Sequence, residues 1–293
     1  MLYQPILDLF EIKPGMVYLD CTAGRGGHAE MVAQQMDETG HVIALDADPT
    51  NADFTRNRLA DAKCKVDVLH RNFAQIPSIL EELELDGVDL LLADLGFASN
   101  QMDDPQRGMT FQADGPLDMR LNPDLPTTAA DIVNRTPENE LADLIFQLGE
   151  ERLSRRIAKK IVQIRSQEPI KNTLALADLV SSCFPPHQRG KRARIHPATR
   201  TFMALRIAVN EELLALDRLL DALPRIIKPG GVAAIISFHS LEDRRVKQKF
   251  LQFDQNDCAK RLTRKPIVAD DAEIRQNSRS RSAKLRAVRF TSA

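Results

Sequence analysis

The chain has 293 residues, 43% hydrophobic and 28% charged, enough to bury a sizeable core as one large domain or two. No apolar run reaches the roughly 18 residues of a membrane-spanning helix. The opening MLYQPILDLFEIKPG also lacks the basic start and apolar core of a signal peptide, so a cytoplasmic location with no membrane partner is expected.

Short apolar runs alternate with helical patterns through the first hundred residues. Strands are predicted over 16–20, 41–46, 65–70 and 87–95, and helices over 27–36, 49–62 and 73–85. Strands apolar on both faces between helices imply a parallel sheet covered on both sides. A long Gly-, Pro-, Asp- and Asn-rich segment follows, of the kind that is usually functional. A helical region comes next: 136–149, with Thr136 as N-cap, Pro137 at the first helical position and Gly149 as the stop; 150–167, amphipathic and basic; 173–184; and one long helix from Ala198 to about Leu223. The sheet pattern resumes with a strand over 229–240, a helix over 241–253 and a last strand in AKLRAVRF. The fold class is therefore α/β, a Rossmann-like sheet interrupted by an all-helical insertion. The expected division assigns 1–125 and 215–293 to the sheet domain and 126–214 to the insertion.

The net charge of −1 hides a split. Residues 1–125 carry 9 Lys/Arg and 22 Asp/Glu, whereas the remainder carry 31 and 19, and residues 151–210 alone hold 13 basic and 3 acidic side chains. The sheet domain is expected to be acidic and the insertion positive, which points to an anionic partner such as nucleic acid. The best candidates to hold phosphates are Arg189, Lys191, Arg192 and Arg194 in a loop, followed by Arg155, Arg156, Lys159 and Lys160 on the basic helix. The cysteines, Cys21, Cys64, Cys183 and Cys258, are widely spaced, which argues against zinc or a disulfide framework, so no metal is expected.

YLDCTAGRGGHAE places a glycine turn between a strand and a helix. Gly24 to Ala29 fits G-x-G-x-x-A, a pattern shared by dinucleotide and S-adenosylmethionine sites. Asp46, ending the second strand, is placed to accept hydrogen bonds from a ribose. Phe73 could pack on an adenine, and His28 could touch the cofactor. Asp94, ending the fourth strand, lies at the edge where substrate and cofactor meet in such sheets. Asp20, just before the glycines, suits S-adenosylmethionine, but these residues alone leave both cofactors open.

The blocks DCTAGRGGHAE, LLADLGFASNQMDDPQRGMTFQADGPLDMRL, GEERLSRRIAKKI, HPATRTFMALRIAVNEEL, ISFHSLEDRRVKQKF and NSRSRSAKLRAVRF, in this order along nearly the whole chain, resemble the ribosomal RNA small subunit methyltransferase H (MraW) family. The resemblance implies a class I methyltransferase domain using S-adenosylmethionine, with the insertion serving substrate recognition. The implied reaction is N4-methylation of one cytidine in the decoding region of 16S rRNA, in the small ribosomal subunit. It implies cofactor contacts from Gly26, Gly27, His28, Asp46, Phe73, Asp94 and Gln101. Cys21, Ala23, Ala98 and Asn100 depart from the family's usual residues, as does the missing His-x-Pro/Thr-Val start. The expected catalytic group is Asp94, accepting a hydrogen bond from the N4 amine, with a backbone carbonyl in DLGFAS as the alternative acceptor and Asp94 then serving the cofactor. The alternatives are a methyltransferase acting on another RNA or on a small molecule, an NAD-dependent dehydrogenase, and a non-catalytic RNA-binding protein. A homodimer is compatible with the sequence.

Overall fold

The computed structural model describes residues 1–188 and 196–291. It divides into two compact units, Met1–Gly96 with Leu213–Ala293, and Phe97–Glu212.

The first unit opens with α1 (Tyr3–Phe10), which buries Ile6 and Phe10. Then come β1 (Val17–Asp20), α2 (Gly27–Ala33), β2 (His41–Asp46), α3 (Pro49–Arg58), β3 (Lys65–His70), α4 (Ile76–Glu82) and β4 (Val88–Asp94). The start of α3 follows capping chemistry: Pro49 occupies the first turn and the Asp48 carboxylate accepts from the Thr50 N–H.

The chain next builds the second unit from α5 (Ser99–Asp103), α6 (Ala129–Arg135), α7 (Glu138–Gly149), α8 (Ser154–Arg165), α9 (Thr173–Ser182) and α10 (Thr199–Val209). Helix α11 (Glu212–Ile226) leads back to the first unit, which ends with β5 (Ile227–Ser237), α12 (Ser240–Gln255), β6 (Ala259–Arg261), α13 (Asp271–Gln276) and β7 (Lys284–Phe290).

The sheet has seven strands in the order β3-β2-β1-β4-β5-β7-β6. Strands β1 to β5 pair in parallel, and β7 lies antiparallel between β5 and β6. Alternation along each strand feeds two cores. Leu19, Ile43, Leu91 and Ile235 pack with α4, α11 and α12, while Tyr18, Val42, Leu90 and Ala234 pack with α1, α2 and α3. Burial on both faces explains why β1, β2, β4 and β5 read as apolar runs, while the edge strand β3 is only partly covered. The parallel register brings the ends of β1, β2, β3 and β4, namely Asp20, Asp46, His70 and Asp94, to one edge.

Several expectations need correction. The helical unit begins at Phe97, not at residue 126. Met109, Leu117 and Met119 from the long loop join the core of α6 to α10, and the loop is laced to α9 by Leu117 N–H to Lys171 O (3.1 Å) and Thr173 N–H to Gly115 O (2.9 Å).

Thr136 does not cap α7. Its N–H closes α6 on Ile132 O, so Pro137 becomes the N-cap. Gly149 is the last residue of α7 but not its stop: the left-handed C-cap is Glu150 (φ 49°), and glycine is needed at 149 because a Cβ there would meet Arg200 O at 2.6 Å, the close approach of α7 to α10.

The expected single helix from Ala198 is two helices. Asn210 and Glu211 break it, Glu211 with φ 49°. The Asn210 amide is engaged elsewhere: Oδ1 accepts from Leu121 N–H at 2.7 Å, and Nδ2 donates to Met119 O at 2.8 Å.

The charge does not divide by unit either. The sheet unit carries 24 basic and 26 acidic side chains, and the helical unit 16 and 15. The polarity lies within each unit, with the C-terminal part of each carrying the excess of cations.

Candidate functional site

At the carboxyl edge of the sheet the chain leaves β1 through Asp20 and turns. Cys21 N–H donates to Leu92 O and Ala23 N–H to Leu45 O, both at 2.8 Å, so the turn is wedged between β4 and β2. Gly26 sits at φ 74°, where a Cβ would lie 3.2 Å from Thr55; this is why a glycine is needed there. Gly24 N–H donates to Asp46 Oδ2 (2.7 Å), and Thr55 Oγ1 donates to Gly24 O (2.9 Å). Arg58, bound to Glu30 and to Arg25 O, clips the outer side of the turn to α3.

Four carboxyl groups meet this region of the unit, Asp20 and Glu242 buried and Asp46 and Asp94 partly buried. Asp20 is wholly buried; its Oδ1 accepts from Thr22 N–H (3.1 Å), and its Oδ2 has no hydrogen-bond partner. Burial pushes it up to about 7, against the Thr22 N–H and with Asp94 adding to the rise. Asp46, whose Oδ1 accepts from Asp48 N–H at 2.8 Å, is pushed by burial up to about 6. Asp94 is held by its own N–H, which donates to Thr22 Oγ1 at 2.7 Å. Its Oδ1 is buried without a partner. Burial raises it to about 7, the Met1 ammonium opposing and Glu242 adding. Glu242, 2% exposed, follows β5 and accepts from the N–H groups of Phe238 and His239 at 2.9 and 3.3 Å.

His28 stands in the first turn of α2. Its Nε2 donates to Met1 O (2.8 Å), and its Nδ1 is 3.7 Å from Asp94 Oδ2. Burial depresses its pKa to about 4, with the Met1 ammonium acting the same way, so the ring is neutral at pH 7. Phe73 lies half-buried after β3 in a turn capped by Asn72, whose Oδ1 accepts from Ala74 N–H at 2.9 Å; its ring packs against the core below the sheet edge.

Gly26, Gly27, His28, Asp46, Phe73 and Asp94 thus lie on successive turns of one sheet edge. Gln101 belongs to the helical unit, where it is buried and its Oε1 accepts from Ala98 N–H at 2.8 Å. Thr22 and Glu242 were not expected from the sequence. Thr22 sits between an acid and a glycine turn with nothing in its spacing to mark it. Glu242 was legible only as the third residue of a capping pattern begun by His239.

The chemistry of this edge discriminates between ligands. A dinucleotide brings an anionic pyrophosphate, which the carboxylates of Asp20, Asp46 and Asp94 would repel. The sheet also departs from the dinucleotide order 3-2-1-4-5-6 by its antiparallel β7. S-adenosylmethionine carries a sulfonium and an ammonium, and cationic groups here would relieve the burial of Asp20 and Asp94 and supply partners to their orphaned oxygens. The residues present therefore fit it.

In the helical unit, Arg155, Arg156, Lys159 and Lys160 lie along α8. Arg156, Lys159 and Lys160, with Gln163, Ser182 and Cys183, line a groove of about 380 Å³. Among the described residues none of these three cations has a carboxylate at ion-pair distance. Arg189, Lys191, Arg192 and Arg194 lie outside the described residues. The cysteines are free thiols, three of them buried. No helix among the described residues is long and apolar enough to cross a membrane.

The sequence profile of the MraW methylase family matches residues 1–291. The ribosomal RNA small subunit methyltransferase H of Prochlorococcus marinus (strain MIT 9303) is 48% identical over 288 residues, covering 98% of this chain and 89% of that relative. The protein of the same name from Solibacter usitatus (strain Ellin6076) is 46% identical over 282 residues, 96% of each chain. That from Geobacter sulfurreducens is 44% identical over 298 residues, 96% of this chain and 95% of the relative.

Proposed function

The chain belongs to the MraW methylase family, a membership that makes it an S-adenosylmethionine-dependent methyltransferase, and we propose on that premise that it methylates the exocyclic N4 of a cytidine in the decoding region of 16S rRNA, in the cytoplasm. The observation that carries the cofactor side of this reading is the carboxylate-lined edge, with buried oxygens of Asp20 and Asp94 awaiting a cationic partner. The rRNA side is supported by the names of relatives similar over almost the whole chain and by Arg156, Lys159 and Lys160 of α8, which have no carboxylate at ion-pair distance among the described residues.

In this reading Gly26 and Gly27 let the cofactor approach the backbone, and His28 bounds its methionine end. Asp46 accepts from the ribose hydroxyls, and Phe73 packs on the adenine. Bound here, S-adenosylmethionine supplies an electrophilic methyl group on a cationic sulfur. The cytosine amine is a weak nucleophile because its lone pair is delocalised into the ring. Asp94 accepts a hydrogen bond from N4–H, turns the lone pair toward the methyl and takes the proton released on transfer. The target base has to leave any stack to reach this edge. Arg155, Arg156, Lys159 and Lys160, together with Arg189, Lys191, Arg192 and Arg194, hold phosphates.

The test is transfer of labelled methyl from S-adenosylmethionine to unmodified small subunits and to free 16S rRNA, followed by mass spectrometry of the nucleosides. N4-methylcytidine is expected, and Asp94→Ala should abolish it while leaving the circular dichroism spectrum intact. Absence of labelled rRNA with cofactor binding intact would overturn the substrate assignment; near-normal turnover by Asp94→Ala would overturn its role.

A further inference from the structure

We propose that His196, stacked on Phe111, is a platform for an unpaired nucleobase of the substrate strand, other than the base that is methylated. The proposal rests on the RNA reading above and adds a binding site to it.

The two rings are 4.6 Å apart between centroids at an interplanar angle of 28°, a stacked pair. Phe111 is fixed from the other side by Phe202, edge-on at 4.9 Å, and Phe202 is 4% exposed in the core of the helical unit. The three rings thus form a column that starts in the core and ends in an exposed imidazole. An aromatic ring that belonged only to the core would be covered. This one is held rigidly at the surface, so a base can stack on it without first ordering a side chain.

The ring is also tied to the backbone: Ala198 N–H donates to Nδ1 at 3.2 Å. Residues 151–210 hold 13 basic and 3 acidic side chains, and exposed Arg200 follows on the first turn of α10. Aromatic faces beside cations are how proteins grip unpaired RNA, since every base offers a π-face and every nucleotide a phosphate.

The same hydrogen bond gives His196 a competing structural duty as a cap, and two substitutions separate the roles. His196→Asn keeps an acceptor for Ala198 N–H and removes the ring. His196→Tyr keeps a ring and removes the acceptor. Binding of a fluorescently labelled single-stranded RNA oligonucleotide to the full chain is measured for wild type and both variants at several salt concentrations. Stacking predicts that His196→Asn binds roughly 5- to 150-fold more weakly. His196→Tyr should stay within about threefold of wild type, and the slope of log affinity against log salt should be the same for all three.

Equal binding by His196→Asn and wild type overturns the platform. So does a parallel loss in both variants, which would mean a cap, or a shallower salt slope in His196→Asn alone, which would mean a cationic contact. Wild-type protein that binds no RNA overturns the RNA reading and the platform with it, whereas wild-type binding with an unaffected His196→Asn removes the platform alone.

Discussion

Asp20→Asn should stabilise the cofactor-free protein, and by an amount that grows with pH. Asp20 is fully buried at the end of β1, and its carboxyl is raised from 3.8 to about 7. Between those values the folded chain holds a proton that the unfolded chain has released. Stability is therefore lost as pH rises from about 4 to about 7 and stays low above that. Each pKa unit corresponds to about 1.36 kcal/mol, so the full penalty is about 4 kcal/mol, with less than half of it present at pH 5. Asparagine is nearly isosteric, keeps an acceptor for Thr22 N–H and cannot ionise. The advantage of the variant should grow by about 3 kcal/mol between pH 5 and pH 8. Urea unfolding of both proteins at the two pH values, without methyl donor, measures it. An advantage that does not change between pH 5 and pH 8, or a variant less stable than wild type at pH 8, would refute the argument that burial of this charge is uncompensated in the free protein.

Asp46→Ala should weaken S-adenosylmethionine binding about 10- to 150-fold in calorimetry, the range for losing hydrogen bonds to a charged acceptor. Asp46→Asn, which still accepts from Gly24 N–H, should fall between; an unchanged Kd for Asp46→Ala would remove Asp46 from the ribose. Replacing Lys159 and Lys160 together by alanine should lower the salt slope of single-stranded RNA binding by about 1.4, at about 0.7 per phosphate contact, and leave cofactor affinity untouched. A slope equal to that of wild type would return these lysines to the role of solvated surface.

The inner strands β1, β2 and β4 were legible because they are buried on both faces and so appear as apolar runs closed by Asp20, Asp46 or Asp94, whereas the edge strand β3 was legible by the alternation in KVDVLH. The glycine turn was legible because Gly26 must adopt a positive φ beside Thr55. What stayed hidden depends on tertiary contact. Three-residue β6 exists only because β7 offers it an edge. The break between α10 and α11 carries no Gly or Pro and follows from Asn210 giving its side chain to the loop at Met119 and Leu121. The long segment after β4 reads as a loop by composition, yet Leu117 and Met119 are each 1% exposed in the helical core. Charge counted along the chain suggested an acidic and a basic domain. The topology, by returning the basic C-terminal part to the acidic sheet, makes both units nearly neutral.

The place of β7 bears on how the chain comes to be folded. Strand β5 pairs on one side with β4 and on the other with β7. Its first neighbour precedes the helical unit in sequence, and its second is among the last described residues. During synthesis β1 to β4 emerge first, and the edge of β4 waits through the whole of the helical unit before β5 arrives. β5 then presents Val232 to Ile236, all buried in the finished sheet, as a bare edge until Lys284–Phe290 is made. The helical unit, with its own core, can close early. The sheet is a late, end-dependent event, and a chain cut before residue 284 would expose an apolar strand edge of the kind that recruits other chains.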